Sequence, residues 1–327
     1  MDRMTTGVSP LDQILGGGLP RESISIIAGL PGTGKSVLAH KMAFSNASAQ
    51  CRTVYLTTLS EPLEKAVRYL QDFDFYDEDT LFEHMVYQDA GGALREEGFD
   101  GFIALVTTLL QTERPRLLII DSFKAIGDIL GSTPEYRIKL FELARLLSVY
   151  SCTTLWLGEY SDSDQAKRPE FAIADAVIEL ANQKRGTKDE RYFRVSKLRG
   201  SHYHAGEHSF RINQQGITVF PRVTTMRGIP LNQCQERVST GVTGLDELLH
   251  GGFWQGTSTM LLGPSGVGKT IASLQFLSAL ASKGQAGLMV TLQETPNQLR
   301  RTAASLELNL GGVDFLYMTP IEALIER

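Results

Sequence analysis

Short apolar runs alternate with stretches of helical periodicity along most of this chain. Residues 23–29 read "SISIIAG", and after a glycine-rich loop the apolar positions of residues 37–43 recur at helical spacing. Further apolar runs follow as "TVYLTT" at 53–58 and "RLLIID" at 116–121. Runs of this length without polar alternation predict strands buried on both faces, which is typical of a parallel sheet between layers of helices. The pattern therefore predicts an α/β fold with a mostly parallel central sheet flanked by helices.

The first part of this pattern occurs a second time, 234 residues further along the chain. "TGVSPLD" at 6–12 matches "TGVTGLD" at 240–246, and Lys35 matches Lys269 without a gap. In the second copy "STMLLG" at 258–263 predicts the strand before the loop, and apolar positions at helical spacing follow the loop again. An internal repeat in a chain of 327 residues predicts at least two compact units.

Each copy carries a glycine-rich loop between its first predicted long strand and the helix that follows. "GLPGTGKS" at 29–36 and "GPSGVGKT" at 263–270 both fit the phosphate-loop pattern G-x-x-x-x-G-K-[ST]. Glycines let backbone N–H groups turn toward phosphates, the lysine reaches the β- and γ-phosphates, and the final hydroxyl is offered to Mg²⁺. We therefore expect ATP and Mg²⁺ as ligands. The predicted nucleotide-binding residues are Gly29, Pro31, Gly32, Thr33, Gly34, Lys35 and Ser36 in the first copy and Gly263, Ser265, Gly266, Val267, Gly268, Lys269 and Thr270 in the second.

A carboxylate is also needed to hold the water shell of the metal, and Asp121 provides one. The apolar residues 117–120 precede it, so its carboxylate is expected at the carboxyl edge of the sheet, where ligands bind. We predict that Asp121 takes part in metal binding with Ser36 at the first loop, and that Thr270 offers its hydroxyl to the metal at the second loop. A carboxylate that only caps the following helix is the alternative reading.

Hydrolysis needs a group that orients the attacking water, and a glutamate follows the second apolar run in each copy. Glu294 lies in "VTLQETP" and Glu61 in "LTTLSEP", although aligning the two requires a gap of one residue. For Glu61 the alternative is an acidic residue at a helix N-terminus, which the helix dipole favours. The predicted catalytic residues of the two loops are Lys35, Glu61, Asp121 and Glu294.

Composition and charge narrow the class of protein. The chain has 32 Lys and Arg residues against 37 Asp and Glu residues, a formal charge of −5, which argues against a protein that coats nucleic acid. Its three cysteines are far apart and form no C-x-x-C pair, and no apolar run reaches the length of a membrane span. We therefore expect a cytoplasmic protein that has neither nucleic acid nor a membrane as its partner.

Several motifs together resemble the KaiC family of RecA-like ATPases. They are "TTGVSPLDQILGGGLP" at 5–20, the first phosphate loop with "IIDS" after it, "PEFAIADAVIEL" at 169–180 and "FRVSKLRGSHYHAGEHSFRINQQGITVFP" at 193–221. The resemblance covers residues 1–222 and restarts at about 236. It implies a RecA-like P-loop NTPase core, a homo-oligomer in the form of a hexameric ring, and a regulatory protein partner.

In that family the Lys and Arg of "KLRG", here Lys197 and Arg199, extend toward the nucleotide of the neighbouring subunit. The resemblance therefore implies that both are catalytic residues that act in trans, by neutralising charge on the transferring phosphoryl group. They stand two residues apart on a predicted strand, so their side chains are expected on one face. An edge strand protected by charge is the alternative reading.

The chain departs from the family pattern at the glutamates. Members of the family commonly carry paired glutamates where this chain has Ser60-Glu61 and Gln293-Glu294, which implies slow or absent turnover. The second copy has 58 residues after its loop lysine and reaches neither a strand like 116–121 nor a "KLRG" segment. We expect a complete domain at 1–222, a linker at 223–238 and the N-terminal part of a second domain at 239–327.

The resulting hypothesis is a protein that binds ATP, hydrolyses it slowly and acts as a nucleotide-driven switch in signalling or assembly. Two alternatives stay open. One is a RecA- or DnaB-like DNA-dependent ATPase of recombination or repair, because the same core fold serves both functions. Against it stand the acidic charge and the lack of a basic, aromatic loop of the kind that stacks on single strands. The other is a KaiC-type serine/threonine autokinase.

Overall fold

The computed structural model describes the chain in six stretches: residues 2–58, 63–130, 134–165, 167–185, 188–222 and 236–318. The contacts between Cα atoms divide the chain into two compact units, residues 1–227 and residues 228–327. The first unit contains the first phosphate loop, and the second unit contains the second loop.

The first unit contains one large sheet and a separate pair of short strands. Its strands are β1 (Arg3–Met4), β2 (Leu19–Pro20), β3 (Ile24–Gly29), β4 (Thr53–Thr57), β5 (Met85–Asp89), β6 (Leu117–Asp121), β7 (Thr153–Gly158), β8 (Ala176–Arg185), β9 (Lys188–Leu198), β10 (Glu207–Asn213) and β11 (Gly216–Phe220). β1 and β2 form a separate pair, and the others lie in the order β11-β10-β9-β8-β3-β7-β6-β4-β5. The strands from β8 to β5 run parallel, whereas β9, β10 and β11 extend the sheet antiparallel. The predicted α/β fold with a mostly parallel central sheet is confirmed.

Helices cover both faces of this sheet. They are α1 (Ser9–Ile14), α2 (Lys35–Asn46), α3 (Leu63–Leu70), α4 (Glu78–His84), α5 (Gly91–Thr112), α6 (Phe123–Leu130), α7 (Pro134–Val149), α8 (Asp162–Gln165) and α9 (Glu170–Ile173). Across the stretches that the structure describes, no helix is both long and apolar enough to cross a lipid bilayer.

Alternate residues of β3 enter two separate hydrophobic cores. Ile27 lies in the same core as Leu38 of α2, whereas Ile26 lies in the other core with Phe102 of α5 and Leu140 of α7. Each buried side chain of this size stabilises the fold by about 1.5–3 kcal/mol. β3 is buried along its whole length, which explains why its sequence is apolar apart from Ser25 and fixes the position of the loop that follows it.

The second unit contains shorter pieces of the same pattern. Its elements are β12 (Arg237–Val238), α10 (Thr243–Leu248), β13 (Phe253–Trp254), α11 (Lys269–Ala281), β14 (Gly287–Thr291), α12 (Pro296–Ser305) and β15 (Val313–Tyr317). β12 pairs antiparallel with β13, and β14 pairs parallel with β15. The predicted linker therefore shares its last two residues with β12, and its residues 223–235 lie outside the described stretches.

The strand predicted at 258–263 is not formed. In the first unit the matching strand β3 has a hydrogen-bonded neighbour on each edge, β7 and β8. Within residues 236–318 no strand pairs with 258–263, and Met260 and Leu262 are 79% and 85% exposed. The prediction was wrong because an apolar run becomes a strand only where partners satisfy its backbone groups.

Both units begin with the same carboxylate-centred turn. In the first unit Asp12 of α1 accepts hydrogen bonds from the Oγ1 of Thr5 at 2.6 Å and from the N and Oγ1 of Thr6 at 2.8 and 2.7 Å. In the second unit Asp246 accepts the matching bonds from Ser239 and Thr240. The turn is thus held by one side chain that satisfies three donors.

We expect Asp12→Ala to destabilise the protein by about 1–3 kcal/mol, because the buried Thr6 donors lose their acceptor. Urea unfolding, followed by a signal from the first unit, measures the loss. Asp72→Ala is the matched control, since Asp72 is exposed and has no partner among the described residues, and it should change stability by less than about 0.5 kcal/mol. Equal effects of the two variants would contradict this role for Asp12.

A buried carboxyl group lies at the start of α9. Glu170 is fully buried; its Oε1 accepts a hydrogen bond from the hydroxyl of Tyr160 at 3.1 Å, and its Oε2 has no partner in the described part of the chain. Burial raises the pKa of Glu170 above its ordinary value. A carboxyl whose pKa is raised on folding contributes stability below its ordinary pKa and loses that contribution as pH rises through the raised value.

We therefore expect Glu170→Gln to be more stable than the parent at about pH 8, by a margin that shrinks toward about pH 5. The amide keeps an oxygen for Tyr160 and carries no charge to desolvate. Chemical unfolding at both pH values gives the two margins. Glu96→Gln, at an exposed position, should show no pH-dependent margin, and a constant margin for Glu170→Gln would contradict the expectation.

Candidate nucleotide-binding site

Backbone conformation and space dictate the glycines of the first phosphate loop. Gly32 has φ +73° and Gly34 has φ +100°, the left-handed region that favours glycine. A Cβ on Gly29 would lie 2.3 Å from the carbonyl oxygen of Leu180 in the neighbouring strand β8. The loop conformation therefore depends on glycine at all three positions.

Lys35 folds its side chain back over this loop. Its Nζ donates to the carbonyl oxygens of Gly29 at 2.9 Å and of Leu30 at 3.0 Å, and the residue is only 8% exposed. Burial lowers the pKa of the Lys35 ammonium, while the carboxylates of Glu159 and Asp121 oppose that shift. The loop thus holds a buried cation beside two acidic groups.

Pro31 and Thr33, two further predicted residues of the loop, differ in burial. Pro31 is exposed, whereas Thr33 is buried and donates from its Oγ1 to the carbonyl oxygen of Leu30 at 2.8 Å. Thr33 therefore stabilises the turn and does not offer its hydroxyl to the loop interior.

Ser36 and Asp121 meet, although 85 residues separate them in the sequence. The Oγ of Ser36 donates to the Oδ2 of Asp121 at 2.9 Å, and the hydroxyl of Tyr55 in β4 donates to the same oxygen at 2.8 Å. β6 brings Asp121 to this place because it is parallel to β4 and pairs Asp121 with Thr57. The structure therefore unites the predicted hydroxyl and carboxylate, and adds Tyr55, which sequence reasoning missed.

Sequence reasoning also missed Glu159. This residue follows β7, the strand between β3 and β6, and its carboxylate is the acid that most strongly raises the pKa of Lys35. The signal was present, because "TTLWLG" at 153–158 is an apolar run that ends at an acid, as 117–120 ends at Asp121. Two acids from neighbouring parallel strands thus lie at the carboxyl edge of the sheet.

Of the two predicted water-orienting glutamates, the structure describes one. Glu61 lies outside the described residues. Glu294 lies between β14 and α12; it is exposed, and its backbone N and O atoms bond to the Oγ1 of Thr291 at 3.3 and 2.8 Å. Its position at the carboxyl end of β14 matches the sequence alignment, and its catalytic role stays a prediction.

The second phosphate loop repeats the local geometry of the first. Gly266 and Gly268 have φ values of +82° and +97°, and the Nζ of Lys269 donates to the carbonyl oxygens of Gly263 and Pro264, both at 2.8 Å. Among residues 236–318 no carboxylate bonds to the loop hydroxyl at position 270. The second loop therefore has the backbone geometry of the first, and within residues 236–318 it lacks the carboxylate neighbour of the first. Its other predicted members, Ser265 and Val267, are exposed, and Thr270 is half-buried.

Lys197 and Arg199 lie at the opposite end of β3 from the phosphate loop. Their cationic groups donate to the carbonyl oxygen of Ala172, at 3.2 and 3.0 Å, and Arg199 also contacts Asp175. Lys197 pairs with β8 near the amino end of β3, roughly 10–15 Å along the strands from the loop. Lys197 lies in β9, which ends at Leu198, and Arg199 is the first residue after the strand. The predicted strand position of Arg199 was therefore wrong by one residue. The two side chains nonetheless converge.

The residues around Ser36 fit a magnesium ion. A hydroxyl and a carboxylate oxygen are hard donors, and Mg²⁺ in nucleotide sites is held by one or two such groups together with phosphates and water. Across the described stretches no three His, Cys, Asp or Glu side chains form a ready-made cage for a metal. The donor set of Ser36 and Asp121 agrees with a site that phosphate oxygens and water complete.

The comparison with known proteins covers both units. A sequence model of the family described as "ATPase: KaiC" matches residues 4–224 and 238–314. The circadian clock oscillator protein KaiC of Picosynechococcus sp. is 29% identical over 326 residues, which cover 96% of this chain and 62% of that protein. That of Synechococcus elongatus is 28% identical over 324 residues, covering 96% and 61%. The circadian clock protein KaiC2 of Synechocystis sp. is 26% identical over 314 residues, covering 93% and 55%.

The chain spans about six-tenths of the length of the first two relatives. The match to the family includes the segment with Ser36 and Asp121, the segment with Lys197 and Arg199, and the second loop. Together with the mostly parallel sheet, it assigns the RecA-like ATPase fold. Because the family model matches well over half of its residues, this chain belongs to the KaiC ATPase family.

Proposed function

We propose that the first unit binds ATP with Mg²⁺ and hydrolyses the nucleotide slowly, and that its nucleotide state acts as a switch in signalling or assembly. The observation that carries this proposal is the hydrogen bond between Ser36 and Asp121 beside the buried amine of Lys35. A glycine-rich turn that arose by chance has no reason to meet a strand-ending carboxylate. Membership of the KaiC ATPase family supports the same function.

The roles follow from the chemistry of each group. The backbone N–H groups at the start of α2 bind phosphate oxygens, and Lys35 exchanges its carbonyl partners for the β- and γ-phosphates. Ser36 and Asp121 would hold Mg²⁺, and the bound ion would neutralise phosphate charge. Glu61 orients the attacking water, and the single acid in place of a pair makes turnover slow. Glu294 has the equivalent role at the second loop, which binds nucleotide through Lys269 and Thr270.

Lys197 and Arg199 act on the nucleotide of a neighbouring copy. Their separation from the loop of their own chain supports this proposal, because a side chain of about 6–7 Å does not span roughly 10–15 Å. Cations supplied in trans to the transferring phosphoryl group make hydrolysis depend on assembly. We propose a hexameric ring of identical subunits, located in the cytoplasm, that signals through a protein partner.

We expect Lys35→Ala to lower the affinity of the first site for ATP with Mg²⁺ by at least about tenfold, a loss of about 1.4 kcal/mol. Both Lys35→Ala and its parent should carry Lys269→Ala, so that the titration with a fluorescent ATP analogue reports on one loop. Lys41→Ala is the matched control, since Lys41 lies on the same helix and contacts the ring of Phe75. If the affinity for the ATP analogue is unchanged after loss of both loop lysines, the assignment of the site is wrong.

Mixing two inactive variants tests the action in trans. We expect Arg199→Ala mixed with Lys35→Ala, both with Lys269→Ala, to hydrolyse more ATP than either variant alone, because each supplies what the other lacks. Mixing Arg199→Ala with Lys35→Ala/Arg199→Ala should give no recovery. If the first pair co-assembles without recovery, Arg199 acts within its own chain or has a structural role only.

A further inference from the structure

We infer that Tyr55 is a positioning residue that fixes the carboxylate of Asp121 for magnesium binding, an inference that rests on the proposed function. The observation behind it is that both donors to Asp121 reach one oxygen. The hydroxyls of Ser36 and Tyr55 donate to Oδ2 at 2.9 and 2.8 Å, and Oδ1 has no partner among the described residues. Two donors on one oxygen set the rotation of the carboxylate and leave the other oxygen for water bound to the metal.

Tyr55 is itself held in place by a stack of rings. Its ring lies 4.5 Å from that of His40 and 4.9 Å from that of Tyr87, with interplanar angles of 16° and 14°. It is only 2% exposed, so its hydroxyl has little freedom to leave Asp121. A donor that is already immobilised loses little conformational entropy when it binds, which suits it to orient a neighbouring group.

The same stack connects the sheet with the helix of the phosphate loop. The Nδ1 of His40 in α2 lies 2.7 Å from the carbonyl oxygen of Ser36, and the rings of Tyr55 and Tyr87 come from the paired strands β4 and β5. Ser36 is therefore held through its backbone by the assembly that holds Asp121 through its side chain. The distance between these two candidate metal-binding groups depends on the packing of three rings.

The second unit shows that the hydroxyl of Tyr55 is not needed to build the strand. The repeat places Met289 of β14 at the position of Tyr55, and Met289 is a partly buried apolar residue that packs against the small core of that unit. In the first unit Tyr87 contributes a partly buried ring to the stack, although its hydroxyl has no partner in the described part of the chain. Ring packing and carboxylate positioning are thus separable properties of this cluster.

The test compares Tyr55→Phe with Tyr87→Phe in the full chain with Lys269→Ala. Each substitution removes one hydroxyl from the same ring stack, and only Tyr55 contacts Asp121. Affinity for a fluorescent ATP analogue is measured first in EDTA and then across a magnesium titration. We expect Tyr55→Phe to raise by about tenfold the Mg²⁺ concentration that gives half of the change in affinity for the ATP analogue. This is the low end of the loss seen when a group that supports a metal ligand is removed. The affinity in EDTA should not change. Tyr87→Phe should shift neither quantity by more than about twofold.

A double-mutant cycle separates positioning from general stability. In an Asp121→Asn background, Tyr55→Phe should cause no further shift in the magnesium titration, because the group it orients is already altered. An equal loss in EDTA and in magnesium, an additive effect in the cycle, or no effect of Tyr55→Phe would each overturn the inference. If the parent, with Tyr55 intact, binds no ATP or binds it with an affinity that Mg²⁺ does not change, the proposed function fails. This outcome is distinguishable from failure of the inference on Tyr55, because it is measured before Tyr55 is substituted.

Discussion

The first unit depends on the pairing of β3 along both of its edges. Between β7 and β8 this strand is fully buried, so its carboxyl end and the glycine-rich loop after it have one position. The second unit distinguishes the features that the local sequence determines from those that depend on strand pairing. Its loop has nearly the same glycine dihedral angles and the same lysine contacts, whereas residues 258–263 lack strand partners within the described stretches and are irregular. The local sequence therefore determines the loop conformation. The strand that positions the loop forms only when other strands pair with it.

The charges at the carboxyl edge explain why a buried lysine is tolerated there. Taking the ammonium of Lys35 out of water is costly, and its contacts with two carbonyl oxygens and the fields of Glu159 and Asp121 offset that cost. Two carboxylates beside one ammonium leave an excess of negative charge at this edge. Under the proposed function, a divalent cation that arrives with the nucleotide balances that excess, which couples binding of the metal to binding of the phosphates.

The sequence predicted the parts of the site that are contiguous or lie at the ends of apolar runs. The loop from Gly29 to Ser36 and the carboxylate of Asp121 belong to this class, and the structure brings them together. Tyr55 was missed because an aromatic residue in a buried strand is indistinguishable from core until its partner strand is known. The strand at 258–263 was predicted wrongly for the same reason, since periodicity reports burial and carries no information about neighbours. The order of apolar and polar residues along the chain does not show which distant segments pair.

The placement of Lys197 and Arg199 makes assembly part of the proposed chemistry. The phosphate loop follows the carboxyl end of β3, and the two cations, held on the carbonyl oxygen of Ala172, lie near the level of its amino end. A subunit with complementary groups at opposite ends is satisfied by a head-to-tail contact, in which the cations of one copy reach the loop of the next. Head-to-tail contacts generate a ring when the rotation between copies closes. The cations would then exchange carbonyl oxygens for phosphate, so that contact between subunits and nucleotide occupancy stabilise each other.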